Sequence, residues 1–103
     1  FESISVIIPV RNREKLIGPC LDYWFEAARS VTNRGVFVEI VVADDASTDG
    51  TPQVVAEKAA SGTVPVRQVT LDSRQGPARA RNAALERASG QLVVFVDSDV
   101  IVS

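Results

Sequence analysis

At 103 residues, 46% of them hydrophobic and 23% charged, the chain has the size and composition of a single globular domain. With 11 Lys and Arg against 13 Asp and Glu, the net charge of -2 excludes the electrostatic footprint of a nucleic-acid-binding or anionic-membrane-binding protein, so any phosphate-bearing ligand must be held locally. The lone Cys20 excludes an internal disulfide and, with no histidine anywhere, argues against a zinc site, leaving a hard cation on oxygen ligands as the metal chemistry open to the chain.

Taken in order, "SISVIIPV" at 3–10 is the first predicted strand, apolar almost without alternation, as in a strand buried on both faces. Leu16, Ile17, Cys20, Leu21, Trp24, Phe25 and Ala28 then recur at helical spacing and form one apolar stripe. Gly18-Pro19 interrupts its start, so this helix either begins at Pro19 or carries Pro19 in its first turns. The second strand, "VFVEIVVA" at 36–43, is again nearly continuous in Val and Ile. Thr51-Pro52 opens a second helix, with threonine as N-cap and proline at the first helical position; it runs to about Ala60 and Gly62 stops it. "VRQVTL" at 66–71, with Arg67, Gln68 and Thr70, reads as a more peripheral strand. A third helix starts at Gly76-Pro77 and ends at Gly90, before the last strand, "QLVVFV" at 91–96.

Strand and helix alternate with no linker or repeat, which predicts an α/β fold: an open, twisted parallel sheet with helices on both faces and right-handed crossovers. In such sheets ligands bind beyond the carboxyl ends of the strands. Those ends carry Pro9-Val10-Arg11-Asn12, "DDASTDGT", "DSRQGPARARN" and Asp97-Ser98-Asp99. Together they bring Asp44, Asp45, Asp49, Asp72, Asp97 and Asp99 toward one rim, with Arg11, Arg74, Arg79 and Arg81 close by in sequence. A crowd of carboxylates repels itself unless a cation or a donor-rich ligand sits among them. Asp97 and Asp99, two residues apart on a rigid strand end, can share a divalent cation.

Each piece also has a plainer explanation. Asp-Ser pairs satisfy their own backbone at strand ends. Asp45 and Ser47 can make Asx-type bonds, and Asp49-Gly50 a second reversal. The arginines of "ARARN" stand about 200° apart on a helix, so at most one of Arg79 and Arg81 faces a given ligand.

"SISVIIPVRN", "EIVVADDASTDGT", "GPARARNAALERASG" and "LVVFVDSD", in that order and covering nearly the whole chain, resemble the nucleotide-binding half of the family 2 glycosyltransferases, which have the GT-A fold. The resemblance implies a Rossmann-like sheet of strand order 3-2-1-4 and metal-dependent, inverting transfer of a sugar from a nucleoside-diphosphate donor, UDP-sugar above all, to an acceptor that the sequence does not name. It implies that Pro9, Val10 and Arg11 line the base and ribose. An aromatic residue is common in the family where Arg11 stands, and an arginine can stack its plane on a base. By the same resemblance Asp45 bonds an imide edge such as that of uracil, Arg81 and Asn82 face the diphosphate, Asp97 reaches ribose or metal, and Asp99 ligates Mn2+ or Mg2+.

The family's general base follows the Asp-x-Asp strand, so here it is expected beyond Ser103, and no catalytic residue is assigned within the chain. A chain that opens at Phe1 and closes at Ser103, four residues after Asp99, therefore reads as residues 1–103 of a longer transferase domain, competent for donor binding only. With no apolar run near the roughly 18 residues that span a bilayer, a cytoplasmic protein is expected. The apolar strand at 92–96 would lie on a sheet edge, an invitation to self-association. Two other classes fit less well. A non-catalytic receiver-type signalling module would carry its acid pair after strand one, and another nucleotide-binding enzyme would carry a glycine-rich loop there; this chain has Pro9-Val10-Arg11.

Overall fold

The computed structural model describes residues 2–96. Four strands, β1 (Ser3–Val10), β2 (Phe37–Asp44), β3 (Val66–Thr70) and β4 (Leu92–Phe95), alternate with three helices, α1 (Ile17–Thr32), α2 (Thr51–Ser61) and α3 (Pro77–Arg87). All strand pairs are parallel and the order is β3-β2-β1-β4, the order that the resemblance implies.

The apolar runs of β1 and β2 make them the two central strands, and the period of two along each divides the core into two layers. Val6, Ile8, Val10, Val38, Ile40 and Val42 face Ile17, Leu21 and Ala28 of α1 and Val55 of α2. On the opposite face Ile7, Val41 and Ala43 meet Ala80 and Ala84 of α3. Alanine on that helix lets its axis lie close to the sheet, so its neighbours Pro77 and Arg81 reach the strand ends.

The helix limits decide the choice left open for α1 and differ from expectation for α2 and α3, each with a local cause. α1 begins at Ile17 and holds Pro19 in its first turn, where a missing amide costs nothing because the first four N–H groups of a helix have no intrahelical acceptor. α2 is capped at Gly50, not Thr51. Asp49 Oδ1 accepts the Thr51 amide at 2.9 Å and its hydroxyl at 2.6 Å, and Thr51 Oγ1 accepts the Arg13 amide at 2.9 Å. α3 stops at Arg87 rather than Gly90, because Ala88 turns extended and Ser89 swings into the sheet.

What draws Ser89 inward is Glu39, a carboxylate 1% exposed in the middle of β2. Its Oε2 accepts from the Ser5 hydroxyl (2.6 Å) and from the Ser89 amide (2.8 Å) and hydroxyl (2.9 Å), while Arg67 Nε lies 3.5 Å from Oε1. Burial works to raise the Glu39 pKa, but the bonds from Ser5 and Ser89 and the charge of Arg67 outweigh it and hold it below its ordinary value. Gly90 closes this pin: its amide donates to Ser5 Oγ at 2.8 Å, and a Cβ there would stand 2.5 Å from the Ser5 nitrogen. Among the described residues no helix is long and apolar enough to cross a membrane.

Candidate functional site

Beyond the carboxyl ends of β1, β2 and β4 lies a cleft of about 550 Å3. Pro9, Val10, Arg11 and Arg13 border it from the β1 end, and Asp45 borders it from the residue after β2. Arg74 and Pro77, Ala80 and Arg81 of α3 form a further side, and Phe95 and Val96 complete it at the end of β4.

The loops after β1 and β2 are stitched into one rigid piece. Asn12, in the left-handed region at φ 52°, donates its amide to Ser47 Oγ at 2.9 Å and accepts the Thr48 amide on Oδ1 at 2.7 Å. Ala46 is also left-handed, at φ 56°. Such conformations persist in L-residues only where surrounding bonds over-determine them. Here Asp44 supplies those bonds, for its Oδ1 accepts both the amide and the hydroxyl of Ser47.

This arrangement separates the acidic residues that strand-end spacing had grouped. Asp44 is fully buried and turned to Ser47, so the Asx-type bond is made by Asp44 and not by Asp45. Asp49 caps Thr51 and accepts the Glu14 amide at 3.4 Å; burial works to raise its pKa, but the Thr51 and Glu14 donors outweigh this and hold it below the ordinary carboxylate value. Asp72 is exposed and does not border the cleft. Among the described residues, then, Asp45 alone brings a carboxylate to the cleft, no cluster of three potential metal ligands forms, and of the expected acids Asp44, Asp49 and Asp72 stand away from a rim that carries four arginines.

Asp45 itself is 4% exposed. Its two oxygens accept the amides of Gln75 at 2.7 Å and Gly76 at 2.9 Å, and its own amide donates to Val10 at 2.9 Å. One residue thus ties the end of β1, through its backbone amide, to the start of α3, through its carboxylate, where Gly76 adopts φ 95° and leads into Pro77. Arg11 borders the cleft, and its Nε is buried without a hydrogen-bond partner among the described residues. Arg81 borders the cleft with its guanidinium carbon 5.6 Å from the centre of the Phe95 ring, whereas Arg79 does not border it. Asn82 is exposed and is not among the bordering residues. Asp97 and Asp99 lie outside the described residues, as does Ser103, beyond which the general base is expected. Among the described residues the cleft therefore offers binding groups, and the expectation of a base after Ser103 stays an expectation. Sequence reasoning passed over Phe95 and Arg13 and put Arg74 near the rim without a role. The spacing of Phe95 two residues before Asp97 in the sequence was the available signal for the first, and the position of Arg13 just after Arg11-Asn12 for the second.

A cleft of this size, with Pro9, Val10, Pro77, Ala80 and Phe95 as apolar lining and four arginines on its described rim, suits a small ligand that is flat at one end and anionic at the other. The family model of glycosyl transferase family 2 matches residues 5–103. The poly(ribitol-phosphate) beta-N-acetylglucosaminyltransferase TarS of Staphylococcus aureus is 41% identical over 95 residues, covering 92% of this chain but 16% of that protein. The crystal structure of TarS residues 1–349 in complex with UDP superposes with a TM-score of 0.82 at 37% identity, over 94% of this chain and 27% of that one. A mannosyltransferase of Pyrobaculum calidifontis, in complex with GDP-Man and Mn2+, gives 0.80 at 36% identity, over 93% of this chain and 27% of that one. The chain therefore spans a minor part of the length of the relatives it matches.

Proposed function

Because this chain belongs to glycosyl transferase family 2, we propose that its cleft takes the nucleoside diphosphate of a sugar donor, UDP-sugar, in a protein that transfers the sugar with inversion and with a divalent cation. The observation that carries the reading is the cleft rim, where Arg11, Arg13, Arg74 and Arg81 meet, among the described residues, a single carboxylate already bonded to backbone amides. A rim of that sign favours a diphosphate and becomes more favourable as the leaving group gains charge.

Pro9, Val10 and Arg11 take the base and ribose in this reading. Each Asp45 oxygen keeps a lone pair after accepting its amide, so Asp45 can still accept from an imide N–H. Arg81 meets the diphosphate. An acceptor hydroxyl attacks the anomeric carbon from the face opposite the phosphate, the bond to the phosphate oxygen breaks with its electron pair on that oxygen, and the hydroxyl proton passes to a carboxylate base that follows Ser103 in the longer protein. The cation, Mn2+ or Mg2+, would neutralise the departing diphosphate. The described residues offer it no ligand set, so that part of the reading rests on Asp97 and Asp99. The UDP complex of TarS supports the choice of uracil nucleotide, and the Mn2+ complex of the mannosyltransferase supports the choice of metal.

Thermal unfolding with UDP, GDP, ADP and CDP, each with and without Mn2+, tests the reading. UDP at 100 times its dissociation constant should add about 2.7 kcal/mol of stability. A shift that Asp99→Asn reduces only in the presence of Mn2+ would locate the metal. No shift with any of the four nucleotides would refute donor binding.

A further inference from the structure

Phe95 belongs to neither core layer. Along β4, Val93 packs under α3 and Val94 under α1 and α2, as alternation in a buried strand requires. Phe95 shares the face of Val93, yet it is 51% exposed and stands at the edge of the sheet, paired only with Ile7 of β1 among the described residues. A half-wet phenyl ring is a poor packing element. What it does contact is the Arg81 guanidinium, 5.6 Å from its centre, within the range in which a ring quadrupole attracts a cation.

Arg81 needs such a partner. It is exposed on α3, and its contact with the ring is what orients it among the described residues. A long side chain in that position samples many rotamers and would lose that freedom on meeting an anion. The face of Phe95 restricts the guanidinium plane while leaving its N–H donors at the edge free for phosphate oxygens.

We propose that Phe95 is a positioning residue whose ring holds the Arg81 guanidinium at the cleft, ready for the diphosphate, and thereby sets the preference for nucleoside diphosphate over nucleoside. This rests on the donor-binding reading above. The ring acts through Arg81 and need not touch the ligand.

The test is a set of NMR titrations with UDP and with uridine on the wild type, Phe95→Leu, Phe95→Tyr, Arg81→Ala and the Phe95→Leu/Arg81→Ala double variant. Leucine suits a half-exposed strand position, so Phe95→Leu is expected to keep the wild-type melting temperature within a few degrees. Phe95→Leu should weaken UDP binding roughly two- to fivefold, the scale of an exposed cation–π contact, and leave uridine binding unchanged. Phe95→Tyr should retain wild-type affinity. In the Arg81→Ala background Phe95→Leu should have no further effect, the sign of a residue acting through its neighbour. UDP affinity unchanged in Phe95→Leu, equal losses for UDP and uridine, or a full Phe95→Leu effect without Arg81 would each overturn the role while leaving donor binding intact. A wild-type protein that binds no nucleoside diphosphate would overturn the donor-binding reading, and this role with it.

Discussion

Adjacent aspartates in a sequence look interchangeable, but the pleat sends Asp44 into the core and leaves Asp45 facing the cleft. The acid pair itself was readable from "ADDAS"; its division of labour was not, because that depends on Ser47 and on the Gln75 and Gly76 amides, one of them 31 residues away. Asp45→Asn keeps the shape but replaces one acceptor with an NH2 group aimed at a backbone N–H. It should lower unfolding free energy by about 1–3 kcal/mol, read from urea denaturation, and weaken UDP binding as the start of α3 loosens. Ala46 points the other way. At φ 56° it carries a left-handed backbone worth about 1–2 kcal/mol of strain for an L-residue, against an entropic cost of about 0.5–1 kcal/mol for glycine. Ala46→Gly should therefore stabilise by up to about 1.5 kcal/mol, the difference between those two terms. A raised urea midpoint with an unchanged slope would show it.

At the level of elements, the parallel sheet and its two helix layers were legible because near-continuous Val and Ile in β1 and β2 leave no polar face for water. The end of α3 was not. "ERASG" continues the helical composition of "ARARNAAL", and only the pull of Glu39 on Ser89, across 50 residues of sequence, ends the helix at Arg87. That pin has a pH signature. The Glu39 pKa is lowered from its ordinary 4.5, so its contribution is complete above about 4.5, where the unfolded chain is ionised too. It fades as pH falls below that value and is gone once pH has passed below the folded-state pKa. Glu39→Gln should cost roughly 1.5–3 kcal/mol at neutral pH, as expected for hydrogen bonds to a buried charged group. Its stability should also decline less than that of the wild type between pH 5 and pH 3, and parallel decline of the two proteins in denaturant titrations would rule out Glu39 as the titrating group.

For the molecule as a whole, the net charge of -2 and the four arginines on the described rim of the cleft make opposite statements, and in the proposed reading the second governs binding. Strand-end placement of the site was legible from topology, since a β3-β2-β1-β4 order gathers the loops after β1, β2 and β4 around one opening. The charge of its described rim was not, because counting aspartates by position ignores which of them the loops consume. Asp44 and Asp49 are engaged as backbone acceptors, and arginines from the β1 end, the β3–α3 loop and α3 border the cleft. If attraction between that rim and a diphosphate carries affinity, salt must weaken it, because the screening length shrinks from about 10 Å at 0.1 M to about 3 Å at 1 M. UDP affinity should fall severalfold between those two salt concentrations while uridine affinity stays constant, as read by calorimetry or NMR titration. A salt-insensitive UDP affinity would mean that the base and ribose, rather than the arginines, hold the ligand.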